Sequence, residues 1–279
     1  PAPEQACGVT AVLAHAMFAR RTAFTREPGG LARFLAERGV RTVAFDFRGH
    51  GDSGKPARAG FSWSYDDLVT SDLPTVVSVA RERFGGTVAV VGHSLGAQVA
   101  LAGLGRGILP ADGLVALGMS LWHPAVVGNP VQQRIQRAAV RVLGALGRRV
   151  GYVPVRALRL GSDDECLRYF RTVERVVLEG RWCSEDLQHD YFAGLAAVRV
   201  PVLALSSRGD STAPPAAVAG LLSRLGGPTE HCILREGDGG RPAPNHGSLA
   251  TGPFATAAWS RAATFLRSLA LPADGGTTR

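Results

Sequence analysis

Short apolar runs recur along the chain, separated by longer stretches of mixed pattern. Gly8-Val9-Thr10-Ala11-Val12-Leu13-Ala14 is the first. Residues 40–47, Val88-Ala89-Val90-Val91, Leu114-Val115-Ala116-Leu117-Gly118, Val202-Leu203-Ala204-Leu205-Ser206 and Cys232-Ile233-Leu234 follow. Continuous rather than alternating apolar character predicts strands covered on both faces. Between them, Leu31 to Arg38 (stopped by Gly39), Tyr65 to Phe84, Gln98 to Leu104, 215–225 and 254–270 predict helices. Pro74 marks either a kink or a restart inside 65–84. Alternating strands and helices require crossover connections, which places the chain in the α/β class with a mostly parallel central sheet flanked by helices.

The rhythm breaks over 119–198, where no strand is evident. Val131, Ile135, Ala138, Val142 and Leu146 recur there at helical spacing, with Arg134, Arg137, Arg141 and Arg148 on another face that reads as solvated. The expected organisation is therefore a core domain of 1–118 and 199–279, with 119–198 inserted between two strands as a helical unit.

Composition narrows the class. With 279 residues, 46% apolar, the chain can bury a sizeable core, and no apolar run approaches the roughly 18 residues a membrane span needs. The N-terminal residues carry neither a basic start nor an apolar signal core, so a cytoplasmic location is expected. The net charge of +8 comes almost wholly from arginine, Lys55 being the only lysine, and is spread along the chain. Without a basic run or a recognisable module, no nucleic-acid partner is expected. Cys7, Cys166, Cys183 and Cys232 lack metal-site spacing and read as four free thiols, although a Cys166–Cys183 bridge is the alternative. No metal and no cofactor is expected. Gly103-x-Gly105-x-Gly107 has the wrong spacing for a dinucleotide fingerprint.

Chemistry enters at Gly92-His93-Ser94-Leu95-Gly96, directly behind the Val88–Val91 run and ahead of a helical stretch. Strand, sharp turn and helix make this pattern a nucleophile elbow. Ser94 takes a strained backbone conformation, while Gly92 and Gly96 stay small to let the turn close. A serine hydroxyl needs a base, and the base needs a group to orient it, in the chain order serine, acid, histidine. Asp210, just past the 202–206 strand, is the expected acid, ahead of Glu236 and Asp238. Those two and the similarly placed Asp46 read as solvated loop charges. His246, in the loop after the last strand, is the expected base, whereas His231 falls at the start of that strand, at the wrong end. The oxyanion donors are expected to be the backbone N–H groups of Leu95 and, from the loop after the first strand, Met17. Leu121 and Trp122 are the expected pocket residues.

These motifs together resemble the α/β-hydrolase-fold serine hydrolases of the esterase and lipase type. The resemblance rests on Phe45-Asp46-Phe47-Arg48-Gly49-His50-Gly51-Asp52-Ser53, on the elbow, on the strand ending at Asp210 and on His246, and it covers nearly the whole chain. Gly151-Tyr152-Val153-Pro154 and Arg181-Trp182-Cys183 are similar to a bacterial subgroup of these hydrolases. The resemblance implies that 119–198 is a helical cap over the active site. Two departures stand out. His15-Ala16 replaces the usual His-Gly, and the first two strands of the usual fold have no counterpart, so either the chain is truncated or a sheet edge is bare. A bare edge invites a homodimer.

The implied activity is hydrolysis of a carboxylic ester through an acyl-enzyme, on a small-molecule ester or acyl substrate. The same triad would serve an acyltransferase, a thioesterase or a carbon–carbon bond hydrolase. Dehalogenase and epoxide-hydrolase relatives place Asp where this chain has Ser94. A third reading keeps the fold as a non-catalytic binding module.

Overall fold

In the computed structural model, which describes residues 6–26, 29–236, 242–252 and 255–270, the apolar runs become the strands of one sheet. In chain order the elements of the first half are β1 (Val9–Ala14), α1 (Leu31–Ala36), β2 (Arg41–Ala44), α2 (Tyr65–Asp67), α3 (Leu73–Phe84), β3 (Thr87–His93), α4 (Leu95–Gly105) and β4 (Gly113–Leu117). The inserted segment contributes α5 (Pro130–Val150), β5 (Tyr152–Val153), β6 (Glu165–Cys166), α6 (Leu167–Glu174) and α7 (Tyr191–Gly194). Then come β7 (Val202–Ser207), α8 (Pro215–Leu222), β8 (Thr229–Leu234), α9 (Ser248–Thr251) and α10 (Thr256–Ser268).

The sheet order is β2-β1-β3-β4-β7-β8, and every adjacent pair is parallel. Successive side chains of a strand point to opposite faces, and the core divides accordingly. Val88 and Val90 of β3 join one apolar cluster with α3, α4 and α8. Ala89 and Val91 join the other, with α1 and α10. Both faces are covered, which is why the strands are apolar throughout instead of alternating. Burying each such valine or leucine stabilises the sheet by about 1.5–3 kcal/mol.

The chain moves outward from β1 to β2, then returns past β1 to place β3 on its other side. Strand order therefore reverses between β1 and β3, where the loops at the carboxyl ends diverge and leave a crevice. The loops after β1, β3, β7 and β8 carry Met17, Ser94, Asp210 and His246, respectively.

Several elements differ from the expectation. The second strand ends at Ala44 rather than running to residue 47. Beyond it the Asp46 carboxylate accepts from Arg21 N (2.6 Å) and Asp52 N (3.2 Å) and pairs with the Arg21 guanidinium, so Asp46 is buried rather than solvated. The 65–84 helix starts on a capping box between Ser64 and Asp67, then widens into a π-turn over Leu68–Asp72 before α3 begins. Pro74 lies in the first turn of α3, where its missing N–H costs least, so it marks a restart. The last strand begins at Thr229, which puts His231 within it, its Nε2 2.8 Å from Ser206 Oγ. The inserted segment holds a two-stranded antiparallel ribbon, β5 against β6, where no strand was expected.

The apolar stripe of α5 is the largest departure. Val131, Ile135 and Val142 are 59%, 64% and 61% exposed, while Gln136, Val140, Gly144 and Gly147 face inward. A Cβ at Gly147 would lie 2.8 Å from Leu167 and 3.2 Å from Val153. The helix thus packs closely on α6 and β5 through its smallest residues, and a count of large apolar side chains points to the wrong face. The arginines are not uniformly solvated either. Arg148 pairs with Glu174 at 2.7 Å, and Arg137 is half-buried, donating to Leu178 O at 2.5 Å. All four cysteines are free, and Cys166 Sγ donates to Trp63 O at 2.9 Å in place of any bridge to Cys183.

Candidate active site

Ser94 stands between β3 and α4 with φ 49° and ψ −107°, a left-handed conformation that a side-chain-bearing residue adopts only under constraint. The constraint is the tightness of the turn. A Cβ on Gly92 would run into the backbone of Ala97, and one on Gly96 into the carbonyl of Ala14 on β1. Ser94 N donates to Leu117 O at 2.9 Å, while its carbonyl accepts from Ala97 N and Gln98 N at 3.1 Å each, so the elbow is tied to β4 and to its own helix.

Asp210 is buried beyond β7. Its Oδ1 accepts from Thr212 N and Ala213 N, both at 2.8 Å, which orients Oδ2 toward His246 Nδ1 at 2.7 Å. With Nδ1 so engaged, His246 is left with Nε2 as its second nitrogen. Ser94 and His246 line one cavity of about 520 Å³, together with Met17, Leu95, Leu121 and Trp122. The structure therefore brings every sequence-selected site residue to one place, with Asp210 behind His246. The N–H groups of Met17 and Leu95 donate no hydrogen bond among the described residues. Leu95 opens α4, where the first N–H groups of a helix have no intrahelical acceptor. Of the rival acids, Glu236 is exposed and Asp238 lies outside the described residues.

Three supporting residues escaped the sequence reading. His93, inside the elbow motif, donates from Nε2 to the backbone carbonyl of His246 at 2.9 Å. Burial, then the neighbouring His246, pushes its pKa down to about 3, so it is a neutral donor. Gly118, next after β4, has φ +53°, and a Cβ there would lie 3.1 Å from His246 Nδ1 and 3.2 Å from Asp210 Oδ2. A glycine directly after a strand was the available signal. His50 is the third. It is buried against Glu165 of the inserted segment, its Nε2 3.1 Å from Glu165 Oε1. Burial opposes its charge, but Glu165 outweighs that and raises its pKa to about 9. His15, whose ring centroid is 5.1 Å from that of His50, is driven the other way. Burial first, then the charge of His50, lowers it to about 3.

A parallel sheet with a serine elbow at its topological switch, and an acid and a histidine from the last two strand ends, defines an α/β-hydrolase-fold serine hydrolase. The chain belongs to the hydrolase family described as serine aminopeptidase, S33, which it matches over residues 24–237. Its fold is similar to that of the Paleococcus ferrophilus monoacylglycerol lipase, at 18% identity and a TM-score of 0.62 over 96% of this chain and 97% of that one. A metagenome-derived lipolytic enzyme pair, LipS and LipT, is represented at 15% identity and TM-score 0.63, with 95% of each chain covered. The RedJ thioesterase of Streptomyces coelicolor prodiginine biosynthesis aligns at 19% identity and TM-score 0.56, over 95% of this chain and 88% of its own.

Proposed function

We propose that this hydrolase cleaves the carboxylic ester of an uncharged substrate with an apolar acyl group, through an acyl-enzyme. The observation that carries this reading is the wall of the cavity. Among the described residues it includes no Asp, Glu, Lys or Arg, and Leu121, Trp122, Val173, Val176 and Val177 are among the apolar residues that line it. A substrate with a free ammonium or carboxylate would lose its hydration there with no counter-charge to offset the cost. This weighs against an aminopeptidase-like preference for a free α-amino group.

In this mechanism Ser94 Oγ attacks the ester carbonyl and its proton passes to His246 Nε2. Asp210 holds the imidazole in the needed tautomer and stabilises the imidazolium. The Leu95 and Met17 N–H groups take the developing oxyanion. Collapse expels the alcohol with the proton from His246, and water, activated by the same histidine, releases the acid. The segment 119–198 acts as a cap, since Val173, Val176, Val177 and Trp182 bring apolar surface over Ser94. The β2 edge, paired on one side only, is where a second copy would associate.

The test is hydrolysis of p-nitrophenyl esters from acetate to palmitate by wild type and Ser94→Ala, with a matched thioester and an aminoacyl anilide alongside. Ester turnover lost in Ser94→Ala supports the reading, and the preferred chain length sizes the cavity. Faster turnover of the thioester or the anilide would move the assignment to that bond. A folded protein that neither turns over any of them nor reacts with a fluorophosphonate at Ser94 would leave the binding-module reading.

A further inference from the structure

The loop that carries the Met17 amide closes on a turn bond from Ala19 N to Ala16 O at 3.2 Å, and its Phe18 is held from outside the loop. Phe18, the next residue, has φ +67°, a left-handed conformation unfavourable for an aromatic side chain. Both of its backbone polar groups are satisfied by one short stretch of the inserted segment. Phe18 N donates to Glu165 Oε1 at 3.1 Å, and Phe18 O accepts from Ser162 N at 2.7 Å, Ser162 Oγ at 3.2 Å and Asp163 N at 3.3 Å. Arg20 closes the same seam with paired bonds to Asp163 at 2.7 and 2.8 Å. Gly161 lies so close to Phe18 that a Cβ there would collide with its carbonyl.

Glu165 is the deepest of these contacts. Its side chain and that of His50 are both fully buried. Oε1 receives Phe18 N–H and His50 Nε2, while His50 Nδ1 lies 3.0 Å from the carbonyl of Arg48, which can only accept. Each His50 nitrogen therefore faces an acceptor, an arrangement that an imidazolium satisfies with two N–H donors. As a carboxylate, Glu165 is a stronger acceptor for Phe18 N–H than a neutral oxygen.

We propose that Glu165 is a positioning residue for the oxyanion hole. From the inserted segment it holds the Phe18 N–H, and so aims the adjacent Met17 N–H at the oxyanion. This rests on the acyl-enzyme reading above and extends it: the inserted segment sets the geometry of the reaction as well as covering the site. The loop's strained residue is Phe18, and the inserted segment supplies the bonds to its N–H and C=O.

The experiment compares wild type with Glu165→Gln, which keeps an oxygen acceptor but loses the charge, and with Glu165→Leu, which has none. Rates are taken per active site titrated with a fluorophosphonate, so that misfolded protein does not count. Inhibition by a trifluoromethyl ketone of the preferred acyl chain is measured in parallel. Ser94 Oγ adds to its carbonyl, the serine proton goes to His246, and the resulting oxyanion occupies the hole. The expected result is a fall in kcat of about tenfold for Glu165→Gln and about 100-fold for Glu165→Leu, the latter at the lower end of what losing an oxyanion donor outright would cost. KM should stay within about twofold, and the ketone's inhibition constant should rise in step with the loss of kcat/KM. A purely structural role would lower the melting temperature and leave kcat per titrated site unchanged. That outcome, or a loss of kcat without weaker ketone binding, would overturn the proposal. Should both variants fail to fold, Gly161→Ala presses on the same Phe18 backbone with the buried pair intact, and the same correlated loss or its absence decides. Failure of the acyl-enzyme reading would show separately, as wild type that neither turns over nor labels.

Discussion

His93 Nε2 donates to the main-chain carbonyl of His246 at 2.9 Å, so the residue before the nucleophile holds the loop that delivers the expected base. The two rings lie 5.0 Å apart, and a charge on His93 would repel the imidazolium that the proposed mechanism forms on His246. Burial prevents this by keeping His93 neutral. Removing the hydrogen bond should loosen that loop. His93→Leu is expected to lower kcat about tenfold with little change in KM, the worth of one such bond. His93→Gln, which can place an N–H near the same carbonyl, should recover most of the loss in steady-state assays.

Asp210→Asn keeps the shape of the His246 partner but replaces the accepting oxygen's charge and favours the wrong imidazole tautomer. Ester turnover should fall about 10⁴-fold, while Ser94→Ala should fall to background. Circular dichroism should show both variants folded, since the Asp210 Oδ1 contacts to Thr212 N and Ala213 N can be kept by the amide oxygen.

Gly118→Ala tests how little room lies behind the histidine–aspartate pair. The added methyl would sit 3.1 Å from His246 Nδ1 and 3.2 Å from Asp210 Oδ2, at a φ of +53°. The left-handed backbone alone costs about 1–2 kcal/mol. A lower melting temperature together with a loss of kcat is expected, whereas a strained turn without crowding would lower the melting temperature alone.

The buried histidines set the shape of stability against pH. His15 and His93, held near pKa 3 against an ordinary 6.5, stay neutral in the fold while the unfolded chain takes up protons. Their contribution is present above about 6.5 and is lost as pH falls toward 3. His50 works the other way, with Glu165, Asp163 and Arg48 O facing it and its pKa near 9. Its contribution is full below 6.5 and fades as pH rises through 9. Melting temperature should therefore peak near pH 6.5 for this trio, and His50→Gln should flatten the alkaline limb.

On α5, Ile135→Ser and Val142→Ser should each change unfolding free energy by no more than about 0.5 kcal/mol, because both side chains are already in water. Val140→Ala, on the inward face, should cost about 2 kcal/mol. Urea unfolding monitored by fluorescence separates the two. Equal costs would mean that the helix turns its large residues inward after all.

The linear sequence determined the six strands, the elbow, and the positions of Asp210 and His246, because each rests on local rules. Continuous apolar runs make doubly covered strands, a glycine-flanked serine between strand and helix makes a strained turn, and parallel strands deliver their following loops to one edge of the sheet. The face that α5 buries, the pairing of Asp46 with Arg21, the fit of Gly118 behind His246, and the grip of Glu165 on Phe18 were decided only by the tertiary structure. Phe18 and Glu165 are 147 residues apart, and His50 and Glu165 are 115 apart. No periodicity links such positions, since their contact exists only once the inserted segment has packed on the sheet. Small residues misled for a related reason. Gly144 and Gly147 bring α5 close to its neighbours by what they lack, and hydrophobic patterning registers only the side chains that are present.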